Sequence, residues 1–246
     1  MRAGDFSKPL IIAHRGYSAR YPENTLLAFR KAVKAGAGMV EMDVRLSKDH
    51  RVVVCHDAGM RRLFGVKGRI ADLPVAVIQE RSSGSIPLFE DVLRALRGKT
   101  LFYVEIKSER LRHKALGLLV NKAWETMRAA GVSKDCLVAS FDYRVAREYR
   151  RLNPKGWTGF ICSSLRALRI AKAHRFAHLD AVCPHRSLLT LKLARALKAQ
   201  GLQIFPWVLD APDQQAQARD LGVDGIVTND PRSLAKFGDR SLNSSD

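Results

Sequence analysis

The sequence predicts a closed (β/α)8 barrel, and three observations lead there. Short apolar runs alternate with amphipathic helical stretches, the pattern of a parallel sheet covered by helices. The alternation gives eight β-then-α units within 246 residues, a length at which α/β barrels form as one unit. The competing doubly wound sheet would carry GxGxxG after its first strand, and none is there.

The elements follow in order. PLIIA (9–13) reads as a buried strand. Asn24 or Thr25 opens a helix carried by Leu26, Leu27, Phe29, Ala32 and Val33, which Gly36 and Gly38 stop. MVEMDVRL (39–46) is the second strand, and RVVVC (51–55) is one extra short strand. Leu88, Phe89, Val92, Leu93 and Leu96 recur at helical spacing up to Gly98. LFYVEI (101–106) is followed by a long helix marked by Leu116, Leu119, Val120, Ala123 and Met127 and closed by Gly131. CLVASF (136–141) and WTGFIC (157–162) are strands, each followed by a helix, at 143–151 and about 164–175. Strands at 179–183, 202–209 (LQIFPWVL) and 224–228 follow, with helices at about 187–199 and 212–220 and a short one near Pro231. The tail GDRSLNSSD is expected to fray. Residues 57–87 have no sustained period. Following the strand that ends at His56, they are expected to cap the site.

Composition narrows the class. With 46% hydrophobic residues the chain can build one large core. No apolar run approaches the ~18 residues that span a bilayer, and the first ten residues lack the apolar stretch of a signal peptide, so a cytoplasmic protein is expected. Cys55, Cys136, Cys162 and Cys183 are spaced too widely for CxxC and lie in apolar runs, so buried free thiols are expected. The net charge is +18, and between Leu165 and Gln200 eight Lys or Arg accompany one acid, Asp180. Such a surface can steer anionic substrates or make weak contact with anionic membranes. It carries no interleaved aromatic cluster and no nucleic-acid-binding signature, so no nucleic-acid partner is expected. Oligomeric state has no signature in the sequence.

GMVEMDVRLSKDHRVVVCHD (38–57) carries the chemistry. Residues i and i+2 of a strand share a face, so Glu41 and Asp43 point one way and Val40, Met42 and Val44 the other. Glu105 and Lys107 repeat the pattern at the end of LFYVEIK. His14 and Arg15 follow the first strand and His56 follows RVVVC, so all seven converge on the strand ends where barrel active sites assemble. Three adjacent carboxylates repel one another, and a hard divalent cation, Mg2+ or Ca2+, removes that cost. The alternative is ion pairing with Arg45 or Lys107 at the rim. His14 and His56 fit a general acid–base pair, and Arg15 and Lys107 can neutralise a phosphate. Phe141 and Trp207 stand at late strand ends, where they line the pocket or pack the rim. The remaining histidines, His50, His113, His174, His178 and His185, read as structural or surface residues.

HRGYSARYPENTLLAF, VEMDVRLSKDHRVVVCHD, IPLFEDVL, YVEIK and DGIVTNDP resemble the glycerophosphodiester phosphodiesterases, in this order, from about residue 11 to 235. The resemblance implies a TIM barrel with a small insertion after the second strand, here about 57–86, within one domain of core about 9–236. It implies hydrolysis of deacylated phospholipids, such as glycerophosphocholine and glycerophosphoethanolamine, to sn-glycerol 3-phosphate and an alcohol. It further implies His14 and His56 as the acid–base pair, Glu41, Asp43 and Glu105 as ligands of one Mg2+ or Ca2+, and Arg15 and Lys107 on the phosphate. Two rival functions fit the same residues less well: a lysophospholipase D at a membrane surface, and a non-catalytic polyanion-binding barrel.

Overall fold

The computed structural model describes residues 8–109, 111–173 and 176–238. His174 and the tail beyond Gly238 lie outside them. In chain order the elements are β1 (Leu10–Ala13), α1 (Leu26–Lys34), β2 (Met39–Leu46), β3 (Val52–Val54), α2 (Arg61–Phe64), α3 (Val75–Arg81), α4 (Phe89–Leu96), β4 (Leu101–Ile106) and α5 (His113–Ala129). Then come β5 (Cys136–Ser140), α6 (Tyr143–Leu152), β6 (Trp157–Cys162), α7 (Leu165–Ala173), β7 (Ala181–Pro184), α8 (Leu191–Lys198), β8 (Gln203–Ile204), α9 (Pro212–Asp220), β9 (Gly225–Thr228) and α10 (Pro231–Gly238). Single 3-10 turns sit at Ile70–Asp72 and Arg186–Leu188.

Eight strands run parallel in the order β8-β7-β6-β5-β4-β2-β1-β9. Between β9 and β8 the nearly closed barrel has no ladder. Backbone N–H groups of Asp224 and Val227 donate to the carbonyls of Ile204 and Pro206 (both 3.1 Å), and Leu209 donates to Val227 (2.9 Å). Pro206 has no N–H to give, which keeps β8 shorter than its apolar run predicts.

The alternation read from β2 is realised. Met39 packs inside the barrel with Tyr103, Leu137 and Phe205, whereas Val40, Met42 and Val44 pack outward among the covering helices. Gly225 makes room for this interior layer. A Cβ there would lie 2.9 Å from Phe205 Cδ1 and 3.0 Å from Ile12 Cδ1.

β3 is antiparallel to β2, with Val44 opposite Val54. It lies off the barrel path and returns the chain to the rim, where the Cys55 N–H donates to the Asp43 carbonyl (2.9 Å). The insertion differs from expectation. It forms two short helices and a 3-10 turn around Met60, Ile70, Ile78 and Ile86, which pack on Val53 and Cys55. Burial of such side chains contributes about 1.5–3 kcal/mol each, enough to order helices that are marginal alone. The insertion therefore stands beside the rim on its own small core.

Candidate active site

The seven predicted site residues meet at the C-terminal ends of β1, β2 and β4 and just past β3. A pocket of about 220 Å3 is lined on its charged side by His14, Arg15, Glu41, His56, Glu105 and Lys107, and on its apolar side by Tyr103, Phe141, Ile161, Trp207 and Val227. Asp43 lies just beneath, 1% exposed. Phe141 and Trp207, foreseen as pocket or rim residues, meet edge to face with centroids 5.6 Å apart. No residue of 58–86 lines the pocket itself; the insertion reaches its edge through Arg62, which binds Asp57 and Glu23.

β1 delivers His14 and Arg15 through a tight turn. Arg15 (φ 55°) and Gly16 (φ 80°) are both left-handed, and a Cβ on Gly16 would lie 2.7 Å from the Ala28 carbonyl carbon. The turn aims the Arg15 N–H at Glu41 Oε2 (2.7 Å). Thr25 then caps α1 by accepting from the Ala28 N–H (3.1 Å).

Asp43 sits opposite Glu105 in the β2–β4 register. One oxygen each from Glu41, Asp43 and Glu105 lies within 4.8 Å of the others. Cations answer part of this charge. Lys107 Nζ is 2.6 Å from Glu105 Oε1 and 3.5 Å from Asp43 Oδ1, and Arg15 Nε is 3.4 Å from Asp43 Oδ2. The ion-pair alternative is thus half realised, through Lys107. Arg45 turns away, donating instead to the His56 carbonyl (2.6 Å). Asn24 donates to Asp43 Oδ2 (2.8 Å) and accepts from the Asp43 N–H (3.3 Å).

Two cations against three carboxylates leave an imbalance, visible in the acidities. Burial, with Asp43 and Glu105 nearby, holds the Glu41 carboxyl well above the usual range. Burial and Asp43 push Glu105 up to about 7. Asp43 goes the other way: burial raises it, but Lys107 and Arg15 outweigh burial and hold it low. An all-oxygen trio that strains toward protonation suits a hard divalent cation.

The histidines are held by partners that sequence reasoning missed. Asp210, past β8, accepts from Asn229 Nδ2 (2.7 Å) and from the Asn229 N–H (2.8 Å). This fixes the amide so that Asn229 Oδ1 faces His14 Nδ1 (2.7 Å), and Nδ1 must then carry the proton. Burial first, then Arg15, lowers the His14 pKa, so the ring is neutral near pH 7 with Nε2 unprotonated. His56 Nδ1 meets Asp57 Oδ1 (2.7 Å), and Arg62 of the insertion holds Asp57 (2.5 Å) and Glu23 (2.6 Å). Glu23 in turn accepts from Arg15 (3.1 Å). His185, expected to be structural or at the surface, is partly exposed with its ring 5.0 Å from Trp207. His50, His113 and His178 are exposed, and all four cysteines are buried and free.

The model of the glycerophosphoryl diester phosphodiesterase family matches residues 14–233. Bacillus subtilis YhdW is 32% identical over 242 residues, spanning 93% of this chain and 97% of its own. The glycerophosphodiester phosphodiesterase structure from Thermotoga maritima superposes with TM-score 0.80 at 28% identity, covering 95% of this chain and 100% of its own. A phosphodiesterase of Oleispira antarctica, solved in complex with its product sn-glycerol-3-phosphate, has the same fold, with TM-score 0.82 at 21% identity over 94% of this chain and 97% of its own.

Proposed function

This chain belongs to the glycerophosphoryl diester phosphodiesterase family of enzymes, and on that premise we propose that it hydrolyses glycerophosphodiesters such as glycerophosphocholine to sn-glycerol 3-phosphate and an alcohol, with a divalent cation. One observation carries the reading. A single pocket at the strand ends gathers two differently partnered histidines, two phosphate-ready cations and a carboxylate trio.

Glu41, Asp43 and Glu105 would hold the cation, Mg2+ or Ca2+. When bound, it supplies positive charge toward the diester oxygens. Arg15 and Lys107 bind and orient the phosphate. Neutral His14, with Nε2 free, takes the proton of the attacking hydroxyl: of water, which gives sn-glycerol 3-phosphate directly, or of the glycerol, which gives a cyclic phosphate that a water then opens to the same product. His56, its Nδ1 held by Asp57, gives a proton to the departing alcohol, and the carboxylate steadies the ring's charge while it carries that proton. The apolar wall of Phe141 and Trp207 excludes water on the opposite side.

The test is release of glycerol 3-phosphate from glycerophosphocholine by the purified protein with Mg2+, with Ca2+ and with EDTA. Release that needs a cation is expected. Release that EDTA leaves untouched would sink the metal assignment. Lysophosphatidylcholine in the same assay separates a lysophospholipase D activity, for which a better turnover than glycerophosphocholine would argue.

The carboxylate trio also predicts a pH dependence of stability. Glu105 is raised in the folded chain, so its contribution is fully present below the ordinary carboxylate range and is lost as pH rises through about 7. In EDTA the melting temperature is expected to fall between about pH 5 and pH 8, and a saturating divalent cation should flatten that slope. Scanning calorimetry in matched buffers reads it. A melting temperature in EDTA that climbs across this window would contradict the raised carboxyls.

A further inference from the structure

A groove of about 890 Å3 separates α7 from α8 on the outer wall of the barrel, lined chiefly by Leu165, Leu168, Phe176, Leu188 and Leu193. Helices that cover a barrel normally close such gaps by packing together. Here Ala171, Ala194 and Leu197 pack the two helices onto the barrel core, and Leu168 and Leu193 only partly cover the gap between them. Leu165, which lines the groove, is 58% exposed, and Leu191, between the lining residues Thr190 and Lys192, is 48% exposed. Each is the first residue of its helix, a few residues past the end of a barrel strand, so both sit at the end where the pocket opens.

The charge around this groove has one sign. Arg166, Arg169 and Lys172 on α7 and Lys192 and Arg195 on α8 are exposed, and among the described residues none of these five side chains has an ion pair or hydrogen bond. Nearby acids are already taken: Asp180 by Arg150 (2.7 Å) and Asp224 by Lys198 (2.6 Å). A solvated basic helix face is ordinary when its other side is buried. Unpaired cations flanking exposed leucines and an open apolar groove form an amphipathic surface with no partner among the described residues.

We propose that the α7–α8 face docks on an anionic lipid bilayer, with Leu165, Leu191 and the groove entering the interface and the five cations meeting lipid phosphates. A bilayer satisfies both halves of the surface together, which a soluble polyanion does not, because it offers nothing to the leucines. The remaining exposed large apolar side chains agree in position. Leu27 lies in the first turn of α1, Phe141 directly follows β5, and Leu63 lies beside Arg62 of the rim network. Leu27 and Phe141 thus follow the C-terminal ends of strands, the end at which the pocket opens. The proposal concerns where the protein sits and holds whichever diester it cleaves.

Sedimentation of the purified full chain with vesicles tests it, using phosphatidylcholine alone and phosphatidylcholine mixed with phosphatidylglycerol. Partition onto the anionic vesicles only is expected, weakening as salt rises. The R169Q/R195Q variant is expected to lose about tenfold or more in partition coefficient. The L165S/L191S variant should also lose vesicle binding while retaining its affinity for heparin. Both variants should hydrolyse glycerophosphocholine as the parent does, which shows that they fold. No partition of the parent, equal partition onto neutral vesicles, or parent-like binding by R169Q/R195Q would each overturn the proposal. Vesicle binding unaffected by L165S/L191S would overturn it in favour of a simple polyanion surface.

Discussion

Alanine at His14 or at His56 is expected to lower turnover of glycerophosphocholine by about 10²-fold or more, the usual scale of a lost general acid or base. The two losses should differ in kind. His14 is buried against Arg15 and presents an unprotonated Nε2, because Asp210 and Asn229 fix the proton on Nδ1. Removing it removes the acceptor for the attacker's proton, whatever the leaving group. His56 is paired with the Asp57 carboxylate and is assigned to the departing alcohol. Its loss should matter little when the alcohol leaves without help. Steady-state rates on glycerophosphocholine and on a glycerophosphodiester with a p-nitrophenyl leaving group separate the two. The activated substrate should restore most of the rate to His56→Ala and little to His14→Ala. The reverse pattern would exchange the roles, and near-parent turnover of either variant on glycerophosphocholine would remove that residue from the mechanism.

Asp43→Asn should have the second large effect, and a paradoxical one. Asp43 is buried and is the one carboxylate of the trio held low, by Lys107 and Arg15 against the cost of burial. Breaking a buried ion pair ordinarily costs ~3–5 kcal/mol because a charge is left alone. Here the charges are not left alone. Lys107 keeps Glu105 at 2.6 Å, and Arg15 keeps Glu23 at 3.1 Å. The Asp43 charge also raises both Glu41 and Glu105, so its removal relieves them. Stability in EDTA should therefore change little. Cation affinity should fall at least 10–100-fold, the loss typical of merely disturbing a ligand's supporting partners, and activity should fall with it. Calorimetric titration with Mg2+ and Ca2+ alongside thermal melts distinguishes the two effects. Unchanged cation binding in Asp43→Asn would mean that this trio does not hold the metal.

Much of this architecture is legible in the chain because the signals are periodic. β2, β4 and β6 fall on the predicted residues, since unbroken apolar runs leave little choice of boundary. β8 is shorter than LQIFPWVL predicts, because apolar character says nothing about the N–H that Pro206 lacks. The insertion has no sustained period, so its sequence predicts a cap but no elements. Its order comes from a few spaced apolar residues packing on β3, and that contact is tertiary. The seven candidate residues were legible from i, i+2 alternation and strand ends. Their partners were not, although Glu23, Asn24 and Asn229 all stand in the quoted motifs. A side chain that orients another carries no spacing of its own. Asn229 reaches His14 across 215 residues of sequence, and Asp210 has no signal beyond its place after a strand. His185, one of the histidines whose sequence setting predicts a structural or surface role, is partly exposed and stands against Trp207.

The seam between β9 and β8 bears on the synthesis of the chain. Asp210 leaves one side of that seam and Asn229 the other, and together they set the proton on a histidine near the beginning of the sequence. A ribosome-bound chain that has emerged as far as β7 already carries both histidines, the carboxylate trio and both phosphate cations. It has no means of orienting His14. In the proposed mechanism, competence arrives with the last strand rather than accumulating residue by residue, so partial products of translation or of proteolysis stay inert while holding nearly the whole site.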